Sequence, residues 1–489
     1  MVSTLRVWWL PAALLGVFAG LLAWELLLPG YIGLADNGDF GKVTGHLGLA
    51  SRRATNFVYF QPECVWSKRN YWDSPYFSSE TLLAWLALEL SGGARAGRIF
   101  DMRWIGAIHM VLMAAAIAFL LAALRGQPKW AQAAIAAVPI LIFTDVCYAA
   151  YCNTFYMDAA TLSGLLLMTA LAVWIVLAGP NRIAGIVLFT AAAMLFVLSK
   201  TQHAVWMVFP AAFLATRGRR AGWIAAALVM LAGIGMLVTS DRSYRGQAMF
   251  NVLFYRLGRQ EPAPAQDLLA LGVQPAELRF IGMHSYVPAS PIVDRQWTEG
   301  FYARTGFRRL AMWYVRHPSR TLHYLTETLT EGGRDMRPFG LGNFPPGQGH
   351  QPGERTTRMA LWTDWRSALF RRWPWHIVAW YGLFVAGCLV VWTLERRPAV
   401  RRLALLALGI ALLGTGEFFA ASLGDPLDPA RHLFQFHVCT ELTVCFGAAW
   451  VVARVTRRPE KPGSGPVPPP VHAGRRAHGA AIECSRNPT

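Results

Sequence analysis

The sequence predicts an all-α polytopic membrane protein with about ten transmembrane helices and two sizeable extracytoplasmic regions. Three observations predict it. Of 489 residues, 54% are hydrophobic and only 15% are charged, with a mean hydropathy of +0.32. Apolar runs near 20 residues recur, the length at which a helix crosses about 30 Å of hydrocarbon. Lys and Arg cluster in alternate connections between those runs, as positive-inside topology requires. That clustering accounts for the net charge of +18 without nucleic acid as a partner.

The apolar runs fall near residues 8–29, 104–124, 131–148, 159–179, 183–199, 203–216, 221–239, 376–394, 402–421 and 433–453. The first follows directly on Arg6. It exceeds the apolar core of a signal peptide, about 7 to 15 residues, so it reads as helix 1 and not as a leader cleaved near Gly33-Leu34-Ala35. If all ten runs cross, then Arg125, Lys129, Arg182, Arg217, Arg219, Arg220, Arg396, Arg397, Arg401, Arg402, Arg454, Arg457 and Arg458 share one side. That side is expected to be the cytoplasm, with both termini in it. The stretch 81–90 is too short to span and is expected at the interface or against the bundle.

Four units follow from this layout: a transmembrane module over 1–239 carrying a first extracytoplasmic loop at 30–103, an extracytoplasmic helical and irregular region over 240–375, three last helices over 376–455, and a tail over 456–489. The tail, with Gly463 to Pro470, is Pro-rich and expected to be disordered and cytoplasmic. The cytoplasmic loops are short and hold neither a P-loop nor a G-x-G-x-x-G fingerprint, so chemistry is expected on the outer side. There the region 240–375 has turn-rich stretches between amphipathic pieces at Arg308 to Tyr314 and Thr321 to Leu329. Its aromatics, Tyr286, Trp297, Tyr302, Trp313, Tyr314, Trp362 and Trp365, are expected mainly as interface anchors, with stacking on sugars second. Seven Cys are scattered without metal-ligand spacing, and pairing of Cys147 with Cys152 is left open.

Directly after helix 1 comes Leu34-Ala35-Asp36-Asn37-Gly38-Asp39-Phe40-Gly41-Lys42. Two carboxylates beside a transmembrane helix are costly and mark a candidate site, although Asn-Gly is also a turn signal and Asp a common cap. Three other polar clusters fall on the same outer face: Asp145 with Asn153, Tyr156 and Asp158; Ser199-Lys200-Thr201-Gln202-His203; and Asp425, Asp428, Arg431 and His432. The second is a five-residue break between apolar runs, expected to dip into the bundle and set Lys200 and His203 against an anion. Snorkelling of Lys200 is the simpler alternative. Arg431 and His432, at the start of the last helix, are expected to meet a phosphate. Glu417 and Glu441 are expected as buried partners without a catalytic role.

These residues match what sugar transfer from a polyprenyl-phosphate carrier requires: a base for the acceptor hydroxyl, cations for the departing phosphate, and a bundle for the lipid. Asp36 and Asp39 are the catalytic candidates, Asp36 preferred as base because it lies nearer helix 1. Lys200, Gln202, His203, Arg431, His432, Asn153, Tyr156 and Asp158 are candidates for binding the lipid phosphate and sugar. Attack opposite the phosphate inverts the anomeric centre. No metal is assigned, and a divalent cation held with help from the second Asp stays open.

The layout resembles the integral-membrane glycosyltransferases of the GT-C class, with an acidic motif in the first outer loop. More closely it resembles the WsfD-like hexose transferases of glycan biosynthesis, through Asp36-Asn37-Gly38-Asp39-Phe40, Asn153-Thr154-Phe155-Tyr156, Ser199-Lys200-Thr201-Gln202-His203 and Arg431-His432-Leu433-Phe434. The resemblance implies a lipid-linked sugar donor, a glycan or lipid-linked acceptor of the cell envelope, and residence in the cell membrane. Met157-Asp158 departs from an expected Gly-Glu, and His203 and His437 from Asn. A transporter or flippase of lipid-linked sugars, and a glycan polymerase or ligase, are the alternatives. No pair of corresponding broken helices suggests the inverted repeat of a transporter.

Overall fold

The computed structural model describes residues 2–51, 57–66, 76–95, 97–179, 183–239 and 242–456. Expectations for Arg182, Arg457, Arg458 and the 457–489 tail lie outside the described residues. The chain is an all-α polytopic membrane protein. Helix α1 (Val2–Leu26) leads into α2 (Gly41–Leu47), β1 (Leu49–Ser51), β2 (Glu63–Trp66), α3 (Ser79–Leu90) and β3 (Ile99–Asp101). There follow α4 (Arg103–Ala123), α5 (Lys129–Phe143), α6 (Val146–Cys152), α7 (Asp158–Ala178), α8 (Ile183–Val197), α9 (Thr201–Ala204), α10 (Val208–Ala215) and α11 (Arg220–Thr239).

Among the described residues, seven helices are long and apolar enough to cross a membrane: α1 from Trp8, α4, α7 and α11, then α18 (His376–Leu394), α19 (Pro398–Gly424) and α21 (Phe434–Thr456). The bent pair α5 and α6, which meet at 66°, makes an eighth if taken as one span. The two remaining expected crossings have physical reasons to fall short. Helix α8 has 15 residues among those described, and the next run breaks into α9, a 3-10 turn at Val205–Met207, and α10. The five-residue connection expected to dip inward does interrupt the helix: Lys200 is extended (φ −143°, ψ 148°) ahead of α9. Helix α7 is the hub of the bundle, with most of its side chains buried.

The segment between α1 and α4 adds what periodicity did not reveal, a small antiparallel sheet ordered β1-β2-β3. Its strands have three or four residues, too few for a legible alternation. Helix α3 is capped by Ser78, which accepts from the Glu80 N–H. It buries Glu80, Ala84 and Leu88 against the bundle and exposes Leu82, Trp85 and Leu90, as an interfacial helix does.

Between α11 and α18 lies a separate core. It is built by α12 (Arg242–Phe250), a π-helical stretch (Asn251–Leu257), α13 (Gly258–Gln260), α14 (Pro264–Ala270), α15 (Arg295–Arg316, kinked at Gly306) and α16 (Pro318–Gly332). Trp313 and Tyr314 are buried inside it, so they fill this core and do not anchor at an interface. Tyr286 and Trp365, the latter on α17 (Leu361–Arg372), stay exposed. Helix α20 (Pro429–His432) precedes α21. Cys147 and Cys152 sit five residues apart on α6, their sulfurs against Met336 O and Met113 Sδ, and both are free thiols.

Candidate functional site

Helix α1 ends at Leu26, and the chain then runs extended from Ile32 to Ala35, held from two sides. On one side the 342–343 segment accepts from it: Gly33 N donates to Asn343 O (3.2 Å) and Ala35 N to Gly342 O (3.1 Å). Asn343 Nδ2 returns a bond to Gly33 O (2.8 Å). On the other side Asn153 Nδ2 donates to Leu26 O (2.9 Å) and Ile32 O (2.7 Å), and Tyr156 Oη donates to Ala35 O (2.8 Å). Tyr156 also accepts from Asn37 N (2.9 Å). Asn153 therefore holds the backbone that leads into the acidic loop. Its approach to α4 is close enough that a Cβ on Gly106 would meet Asn153 Oδ1, so only glycine fits there.

Within the loop Asp36 Oδ1 accepts from Gly38 N (2.7 Å) and Phe40 N (3.1 Å), an Asx-type turn completed by Gly38 at φ +104°. The turn reading of Asn-Gly was therefore correct locally. It leaves Asp36 Oδ2 without a hydrogen bond among the described residues. Burial raises the Asp36 carboxyl above its ordinary value, against the lowering by the two N–H groups.

Asp39 has a different environment three residues on. Lys42 Nζ meets Oδ1 at 2.6 Å and Arg431 Nη1 donates to Oδ2. Burial alone would raise this carboxyl, but the two cations hold it well below the usual carboxylate range. Asp39 is thus a fixed anion. Each of its oxygens is engaged by a cation. Among the described residues, no three His, Cys, Asp or Glu converge as metal ligands.

Arg431 joins the polar clusters. Besides Asp39 it pairs through Nε with Asp428 (3.2 Å) and lies over the Tyr156 ring, 5.4 Å from its centroid. Asp428 adopts the left-handed region (φ 52°, ψ 56°), a strain of about 1–3 kcal/mol for a non-glycine residue that the ion pair helps to hold. Burial would lower Arg431, yet Asp39, Asp428 and Asp158 raise it well above its ordinary value. Its Nη2 group carries no hydrogen bond among the described residues. Lys200 Nζ binds Asp158 Oδ1 at 2.6 Å within reach of the same charges.

The other expected phosphate ligands fare differently. His432 lies 4.0 Å from Asp425, and burial with the nearby Arg431 and Lys200 pushes it down to about 3. That shift favours the neutral imidazole over the cation expected from the sequence. Gln202 and His203 turn away to α19: both, with Trp206 Nε1 (2.6 Å), converge on Glu417, His203 through Nδ1 at 2.9 Å. Glu417 is therefore the anchor of the broken helix that presents Lys200. Glu441 meets Tyr148 Oη (3.2 Å) and Arg366 (3.6 Å).

Sequence reasoning missed Lys42, whose spacing of three from Asp39 on a helix start is the signal that would have found it. It also missed Glu25, fully buried near the end of α1 with neither carboxylate oxygen hydrogen-bonded, which a single acid within an apolar run does signal.

No curated protein and no solved structure matches the chain. A family model described as YfdI N-terminal transmembrane domain matches residues 4–464, which takes in every described span. It does not name the WsfD-like group that the short motifs resemble. The chain belongs to the YfdI N-terminal transmembrane domain family and is a membrane protein.

Proposed function

We propose that the protein is a glycosyltransferase that moves a hexose from a polyprenyl-phosphate donor to an envelope or surface glycan acceptor, on the extracytoplasmic face and with inversion. The observation that carries this reading is one carboxylate with an open oxygen and a raised proton affinity, Asp36, fixed beside a guanidinium with an open donor, Arg431. The acceptor hydroxyl gives its proton to Asp36 Oδ2 while its oxygen bonds to the anomeric carbon. The bond from that carbon to the phosphate oxygen breaks, and its electron pair leaves with the phosphate. Arg431 Nη2 and Lys200 meet the charge that develops there. Asp39 keeps Arg431 aimed and Asp158 keeps Lys200 in place. The likeness to WsfD-like hexose transferases belongs to this proposal.

The test is to incubate purified protein with labelled polyprenyl-phosphate hexoses and envelope acceptors. Label in a new glycoside of inverted configuration is expected. Movement of the lipid-linked sugar between leaflets without a glycosidic bond would establish transport instead. For sidedness, a single Cys at exposed position 286 in a cysteine-free background is expected to react with an impermeant reagent from outside. Reaction only after the cytoplasmic side is opened would overturn the topology.

A further inference from the structure

An apolar cavity of about 780 Å³ lies between α1, α4, α5, α7, α18, α19 and α21, in the half of the bundle away from the acidic loop. Its deep end is at Phe18, Phe143, Leu166 and Leu442, and Pro139, inside α5, forms part of its wall. Its mouth is at Glu395, Arg397 and Arg454, where α18 and α21 end and α19 begins. Val390 and Leu394 at that end are 52% and 76% exposed, so the cavity is open there.

Two features decide what fits. The first is charge. Glu395 takes Arg397 through Nε (3.1 Å) and Nη2 (2.9 Å), which leaves Arg397 Nη1, Arg454 and the neighbouring basic positions Arg396, Arg401 and Arg402 as the excess charge at the mouth. A lipid tail is as well solvated by bilayer as by this cavity, so selection has to come from the head group, and a basic mouth selects an anionic one. The second is a wall. Phe143 packs on Tyr148 (centroids 5.4 Å), Tyr148 on Phe434 (5.9 Å), Phe434 on Tyr151 (4.1 Å) and Tyr151 on Tyr156 (5.9 Å), beneath Arg431. None of these rings is more than 1% exposed. A chain whose phosphate sits at Arg431 meets this wall before the cavity.

We propose that the cavity is a second lipid site, independent of the carboxylate site. It takes the acyl chains of an anionic glycerophospholipid whose head group meets Arg397 and Arg454. A lipid bound to the folded chain and not to the unfolded one stabilises the fold by mass action.

The experiment is native mass spectrometry of the full chain released from detergent, titrated with phosphatidylglycerol, phosphatidylcholine or polyprenyl phosphate. One phosphatidylglycerol per chain is expected, held at least tenfold more tightly than phosphatidylcholine. A Cβ at Gly387 meets nothing within 4 Å, so Gly387→Phe puts a ring into the cavity and is expected to abolish this binding. The exposed pair Arg397→Gln and Arg454→Gln, which leaves the bundle intact, is expected to weaken it about tenfold and remove the preference over phosphatidylcholine. Equal retention of the two phospholipids, unchanged binding in Gly387→Phe or in the arginine pair, or displacement of phosphatidylglycerol by polyprenyl phosphate would overturn the proposal. None of these outcomes bears on Asp36.

Discussion

At one end of the bundle Asp39, Lys42, Asp428 and Arg431 form one connected ion-pair group under a strapped loop, while at the other about 780 Å³ is lined mainly by apolar side chains. Charges removed from water cost several kcal/mol each unless paired, so the first end has to be geometrically complete. Apolar space carries no such requirement and can stay open to the bilayer. The contrast teaches where precision resides in this fold. The end built from short loops is fixed by hydrogen bonds to backbone, and the end built from long helices is left adaptable.

The largest break in that contrast is expected from Arg431→Met. It strands Asp39 and Asp428 without their shared partner and costs about 3–5 kcal/mol, read as a lowered Tm in detergent. Arg431→Lys recovers only part of it, since a single ammonium cannot hold Asp39 and Asp428 in the same fork. An unchanged Tm in Arg431→Met would mean that the ion-pair group does not hold this end together. Glu417→Gln comes next. It replaces a carboxylate facing three donors with an amide, at about 1.5–3 kcal/mol for the charged hydrogen bonds. Because Glu417 acts through the broken helix carrying Lys200, the transfer rate falls while its pH dependence keeps the wild-type shape. A shifted profile would instead put Glu417 in contact with the reacting groups.

Asp425→Asn is the mildest. Burial raises this carboxyl from 3.8 to about 6, against the Leu427 N–H and Asn251. Its contribution to stability is full below about pH 4 and is lost as pH rises through 6. The variant is therefore expected to raise Tm by a few degrees at pH 8 and to leave it unchanged at pH 4. An equal shift at both pH values would show that ionisation of Asp425 is not the cause.

Much of this was legible before any coordinates. Charge alternation assigned the acidic loop, Asp158, Lys200 and Arg431 to one face, and they do meet there, because apolar helices leave their polar groups only the connections to occupy. The partners within that face were not legible. Gln202 and His203 have side chains free to turn either way, and their turn toward Glu417 depends on how α19 packs. Asn153 looked like a ligand residue because its backbone partners, Leu26 and Ile32, are more than 120 residues away. His432 looked cationic because its enclosure beside Arg431 and Lys200 is a tertiary fact. Strand pairing of three or four residues left no periodic trace at all.

The transfer rates of Asp36→Asn and the wild type across pH test the central claim most directly. Loss of a general base predicts a fall of about 10²–10⁴-fold in the variant. The wild-type rate is predicted to decline as pH falls through the raised value of Asp36. A wild-type rate in Asp36→Asn would contradict the account.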